Sequence, residues 1–214
     1  MDRRDSKRLV VGLVSVVIFN FILIVSSVMS GIRKGDIMLR FREHETVTLF
    51  SGLFLGFTAL TSLFIYFLKK RAGLRSERYG FWSLSAIGFI YLCLDEYFMA
   101  HEGIDDWVGS WFVQNLPVLN FDNLVIACYG LVAVGACYYF RRAILSHSVM
   151  WPCLAAGGFC LAGTVAFHCL ERIDIVYEVV EESFKIVGVS FFFLAYFLAC
   201  MTSLDRMTIT QDTQ

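Results

Sequence analysis

The stretch LVVGLVSVVIFNFILIVSSVMS, residues 9–30, runs 22 residues without a charge. A helix needs about 20 mainly apolar residues to cross about 30 Å of hydrocarbon, so this stretch predicts a transmembrane helix. Five more of the same kind follow, at 47–68, 80–99, 123–140, 149–170 and 182–201. A lipid-exposed backbone has to satisfy its own hydrogen bonds, and no period-2 alternation of a barrel appears, so all six read as helices. Composition agrees: 57% of the 214 residues are hydrophobic and only 17% charged, against about 25% charged in a soluble domain. The expectation is an all-α polytopic membrane bundle of about six transmembrane helices, forming one integral membrane domain over residues 1–214.

Lysine and arginine in the short connections set the orientation. Twelve of the 18 basic residues fall on the side of the N-terminus: Arg3, Arg4, Lys7 and Arg8, then Lys69, Lys70, Arg71, Arg75 and Arg78, then Arg141, Arg142 and Arg206. Both termini are therefore expected in the cytoplasm. The acids show the reverse bias, with 14 of 19 on the outer side or just beneath it. The net charge of −1 hides this segregation and removes any bulk-charge argument for nucleic-acid binding. Residues 1–30 have the outline of a signal peptide, with Val28 and Ser30 before Gly31. The apolar run is longer than the usual 7–15 residues, so it reads as a retained first helix. The 7 cysteines lie in apolar stretches and form no CxxC, which makes them small core residues rather than a disulfide or metal framework.

The third span, GFWSLSAIGFIYLCLDEYFMAHE at 80–102, departs from plain apolar sequence. Counted from its cytoplasmic end, Asp95 and Glu96 fall about one turn inside the hydrocarbon, where a charge costs about 3 kcal/mol and calls for a partner. In a continuous helix Asp95, Glu102 and Asp106 share one face, and His101 and Asp105 mark another. His168 and Glu171 stand at i, i+3 at the outer end of span five. Asp174, Glu178, Glu181, Glu182 and Lys185 form one face at the start of span six, and span two opens with Glu43, His44 and Glu45. Three of the four histidines thus sit beside carboxylates at the outer end, and only His147 lies on the cytoplasmic side.

Two chemistries use such a set. Imidazole and carboxylate together ligate Zn, Mn or Fe, so His101, His168, Glu171 and Glu178 are the candidate metal ligands. Asp95, Glu96, Glu102 and Glu182 are then the candidate acid/base groups for metal-assisted chemistry on a lipid or periplasmic small molecule. Alternatively, a line of acids and histidines carries protons or cations through a small transporter, with Asp95, Glu96 and the Glu182–Lys185 region as its sites. A third reading is a non-catalytic subunit that docks a membrane-protein partner, or a second copy, through its acidic outer face. Structural roles compete throughout: acids at a helix N-terminus suit the macrodipole, and Glu181 with Lys185 has the spacing of a helix ion pair. Gly52-x-x-x-Gly56, the Ala155–Gly158 run and Gly163 read as packing positions, and Asn20 as an interhelical hydrogen bond. Trp107, Trp111, Phe112 and Phe121 suit a segment at headgroup level.

The element LDEYFMAHE, with the acid-opened second span and the Glu-rich last span, resembles bacterial multi-pass membrane proteins of uncharacterised function that carry an LDE…HE element. The resemblance covers spans two to six and implies a bacterial inner membrane, which the absence of a sorting motif fits. It implies no activity. The membrane hydrolases that include alkaline ceramidases carry an HxxxH pair in a late helix and seven spans. This chain has neither.

Overall fold

The computed structural model describes residues 3–42, 45–71, 76–100, 103, 121–168 and 175–211. Among them are seven α-helices and no strand. They are α1 (Arg3–Lys34), α2 (Thr46–Arg71), α3 (Ser76–Phe98), α4 (Phe121–Tyr139), α5 (Arg141–Leu145), α6 (Met150–His168) and α7 (Ile175–Gln211). Four of them, α1, α2, α6 and α7, are long and apolar enough to cross a membrane. Among the described residues every stretch expected to be a span is largely helical, and α1, α2 and α7 outrun their apolar windows at both ends. The 37 residues of α7 reach about 55 Å at 1.5 Å per residue, well beyond the hydrocarbon.

The overrun has a cause at each end. At the start of α1 and the end of α7, Arg8 pairs with Asp205, and Arg4 lies 3.7 Å from the same carboxylate. At the far end of α1 the chain reverses over glycine. Gly35 takes φ of 75°, Asp36 N–H donates to Gly31 O at 3.0 Å, and Gly35 N–H donates to Ile32 O at 3.2 Å. That pair of bonds is a Schellman motif, which a left-handed residue makes available. Gly31 also lets the returning chain come close, since a Cβ there would lie 2.6 Å from Asp36 O. Asp36 then caps a short 3-10 turn (Ile37–Arg40) through Met38 N–H at 3.1 Å and binds Arg42 at 2.8 Å. This turn drives Met38 and Phe41 into the end of the bundle, each 2% exposed.

The last helix, α7, is the hub, lying against α6, α2 and α1. Helices in lipid associate through close contact rather than a hydrophobic force. The α6–α7 crossing is correspondingly tight: a Cβ at Gly157 would meet the Phe192 ring at 2.8 Å and Gly188 O at 3.0 Å. Gly163 lies under Phe184 in the same way, and Gly52 of α2 under Tyr97 of α3. The expectation for these glycines holds, except that Gly158 has nothing within 4 Å. Asn20 of α1 is buried and accepts from Ser190 Oγ of α7 at 3.3 Å, as its place in span one suggested. Two apolar clusters fill the interior. One, toward the chain ends, is built on Trp82, Met150, Cys153 and Tyr196; the other holds Met38, Phe41, Val47, Leu55 and Ile186. The outward face of α1 exposes Val11, Val17, Phe21 and Ile22, a surface that suits lipid.

His147, in the turn between α5 and α6, ties the end near the termini together. Lys69 Nζ can only donate, so Nε2 of the ring accepts at 3.3 Å. The Nδ1–H then donates to Thr202 Oγ1 at 3.1 Å, and the Thr202 hydroxyl to Ala199 O at 3.0 Å. Burial, with Lys69 and Arg206 beside it, pulls the imidazole down to about 3, from an ordinary value near 6.5.

Two outcomes follow. Gly157→Ala should lower unfolding stability in detergent by about 1–3 kcal/mol through overpacking, while Gly158→Ala should be neutral. The neutral His147 contributes stability that is fully present above about pH 6.5. As pH falls below that, the unfolded chain takes up a proton the folded ring refuses, at about 1.4 kcal/mol per pH unit. The apparent melting temperature should therefore drop between pH 6.5 and 4, and His147→Phe should flatten that part of the profile.

Candidate functional site

Two helix ends of opposite polarity meet beside the second apolar cluster. Asp95 and Glu96 lie in the last turn of α3, where the macrodipole repels a carboxylate. Glu178 opens α7, with Glu181 and Glu182 a turn later, where the dipole favours acids. Glu96 therefore needs a cation, and Lys185 of α7 supplies one. Its ammonium lies 3.2 Å from Glu96 Oε1 and 2.7 Å from Glu182 Oε1. All three side chains are largely enclosed: Glu96 is 14% exposed, Glu182 16% and Lys185 24%. Within the helix, Lys185 closes on Glu182 at i−3.

The cluster is walled by close packing. Tyr97 lies flat on Gly52, and Cys93 Sγ donates to Gly52 O at 3.3 Å, so α2 backs the α3 wall. Ile186, next to Lys185, packs in one cluster with Met38 and Phe41 from the turn after α1. Glu182 Oε2 is buried with no hydrogen-bond partner among the described residues, and Ser51 Oγ likewise.

Asp95 does not join this cluster. Successive residues point about 100° apart on a helix. Glu96 faces Lys185, whereas Asp95, 8% exposed, stands in the electrostatic surroundings of Tyr129 on α4. Tyr129 and Tyr91 share a hydrogen bond of 2.5 Å between their hydroxyls. The neighbouring acids of the LDE element thus serve two different interfaces.

Of the expected face through Asp95, Glu102 and Asp106, only Asp95 lies among the described residues, and α3 ends shortly after it. The helix stops at Phe98, and Met99 takes a left-handed φ of 50°. A single helical count past residue 98 no longer holds. His101, Glu102 and Glu171, together with Glu43, His44 and Asp174, lie outside the described residues, as does the side chain of His168. Glu178 is half-buried in the first turn of α7. Among the described residues no group of three or more His, Cys, Asp and Glu side chains comes together as a metal-ligand set.

The cation of this cluster is Lys185, which the transporter reading names together with Glu182. It was visible on the acidic face of the last span, but its partner on α3 depends on helix register, which spacing alone does not provide. The roof formed by Met38 and Phe41 was also missed; its signal is the Gly31–Gly35–Asp36 punctuation.

The family described as "Domain of unknown function (DUF8692)" matches residues 8–200. The chain belongs to this family. The DUF8692 match includes Glu96, Glu182 and Lys185, so the cluster lies within the family's shared region. No curated protein and no solved structure matches the chain.

Removing the cation tests the cluster directly. Lys185→Met should cost about 3 kcal/mol by leaving two enclosed carboxylates without it. The triple variant Lys185→Met, Glu96→Gln, Glu182→Gln should recover most of the loss, read as melting temperature in detergent.

Proposed function

We propose that this DUF8692 protein is a small ion-coupled membrane carrier whose coupling site is the Glu96–Lys185–Glu182 cluster. One observation carries the reading: two carboxylates share a single ammonium inside the bundle, and one oxygen of Glu182 has no hydrogen-bond partner among the described residues. With both acids ionised, the three groups sum to one negative charge, which is costly away from water. The cluster is one positive charge short of neutrality. A proton on Glu182 Oε2, or a monovalent cation beside it, completes it.

Binding of that charge has a mechanical consequence. Glu182 and Lys185 belong to the same helix, while Glu96 belongs to α3. Neutralising Glu182 frees Lys185 to lean on Glu96 and tightens α3 against α7. Neutralising Glu96 removes the link instead. Two packings with different proton affinity are what a coupled carrier needs. A Zn, Mn or Fe ion between the same carboxylates has to displace Lys185, whose ammonium repels it. This favours proton or monovalent-cation binding over metal-dependent hydrolysis.

The proposed topology has six spans, with both termini on the cytoplasmic face of a bacterial inner membrane. The Arg8–Asp205 pair supports it, because it brings the two ends of the chain to one end of the bundle, as an even number of crossings requires. The concentration of lysine and arginine at that end supports the side.

Reconstituted protein should acidify pyranine-loaded liposomes under a valinomycin-clamped potassium gradient. Glu182→Gln and Glu96→Gln should reduce that flux at least tenfold. Proton flux equal to empty liposomes with no sodium or potassium uptake either, or flux unchanged in both variants, would overturn the reading. Stoichiometric Zn, Mn or Fe in the same preparation, lost in Glu96→Gln, would instead favour the metal-dependent one.

A further inference from the structure

At the end of the bundle opposite the Lys185 cluster, eight of the described basic residues fall into two groups. Arg8 and Arg4 are taken up by Asp205, Arg206 donates to Ser146 O at 3.2 Å, and Lys69 donates to His147. The second group, Lys70, Arg71, Arg141 and Arg142, is exposed and pairs with no acid among the described residues.

Two of these cations, Lys70 and Arg141, are set on aromatic rings. Lys70 Nζ lies 5.6 Å from the Tyr66 ring centre, and the Arg141 guanidinium 4.6 Å from that of Tyr138. Arg141 Nη1 also donates to Tyr138 O at 3.4 Å, which holds the fork in place. The rings continue from helix to helix: Tyr66 of α2 meets Tyr79 of α3 at 5.5 Å, and Phe81 of α3 meets Phe140 at 5.6 Å. Tyr138 and Tyr139 are 70% and 79% exposed. Aromatic side chains with a polar tip in this position mark the level of lipid headgroups.

We propose that this belt is a binding surface for anionic phospholipids, with Lys70, Arg71, Arg141 and Arg142 holding the headgroup phosphate. Stacking orders Lys70 and Arg141 in advance, with Arg71 and Arg142 exposed beside them in the chain, and leaves donors free for phosphate oxygens. The surface directly below the belt fits the rest of the lipid. Leu131, Val132 and Val134, one to two turns from Tyr138 on α4, are among the most exposed apolar side chains of the molecule. Acyl chains cover that face while the headgroup meets the cations, an arrangement a free phosphate lacks. The inference is independent of the carrier reading and needs only membrane insertion.

The test uses the full chain in neutral detergent, titrated with phosphatidylglycerol or phosphatidylcholine, with melting temperature as the readout. Phosphatidylglycerol should raise the melting temperature more than phosphatidylcholine. The excess shift should fade with added salt. One basic residue near an anionic surface is worth about a fivefold change in affinity. Lys70→Gln with Arg141→Gln and Arg142→Gln should therefore weaken the phosphatidylglycerol response about a hundredfold. The charge-preserving set Lys70→Arg, Arg141→Lys, Arg142→Lys should retain most of it. If the triple neutral variant does not fold, Lys70→Gln alone should still show the fivefold loss. Equal shifts with the two lipids, an undiminished response in the neutral variants, or the same shift from free glycerol phosphate would each overturn the proposal.

Discussion

Hydrocarbon offers no reward for bringing two apolar helices together, so this bundle holds wherever backbones approach closely enough for dense contact or a polar group finds its partner. The crossing of Gly157 and Gly188 is the point on which the rest turns. It fixes the rotation of α7 against α6, and that rotation decides which residues of α7 look inward. Ser190 then meets Asn20 of α1, Tyr196 meets Ser85 of α3 at 2.7 Å, and Lys185 meets Glu96. Each of these bonds connects helices distant in sequence, and each depends on the same register.

Between α3 and α7 the contact is of a different kind. It is made by long side chains, Phe89 on Phe192, Trp82 and Phe89 on Tyr196, and the carboxylate of Glu96 on Lys185. Extended side chains have more ways to rearrange than a glycine contact does. The interface that carries the charged cluster is thus the one best able to change, while the α6–α7 crossing beside it is rigid.

Much of the fold was legible because it depends on local composition. Uncharged runs such as 9–30 announce helices without reference to anything else, and small residues at 52, 157 and 163 announce close packing. The charged site was only half legible. Asp95 and Glu96 stood out by depth, yet adjacent residues on one helix serve different neighbours, and only three-dimensional register separates them. Lys185 looked like an ordinary i, i+4 partner of Glu181 because its cross-helix partner lies 89 positions away in the chain. The left-handed turn at Met99 has no glycine to signal it, so the end of α3 is not legible in the sequence.

The Arg8–Asp205 pair joins residues 197 apart in the chain. During synthesis α1 is made long before α7, and the partner of Arg8 does not exist until 197 further residues have been added. At 5–20 residues per second that is a wait of about 10–40 s. Throughout that time the first helix has its arginines at the membrane surface and no carboxylate from α7 to receive them. The helix made late is also the one that α6, α2 and α1 lie against. The α2–α3 pair can close before α7 is made, whereas the contacts of α1, α2 and α6 with α7 wait for it, so a chain released early lacks the hub rather than one peripheral strut.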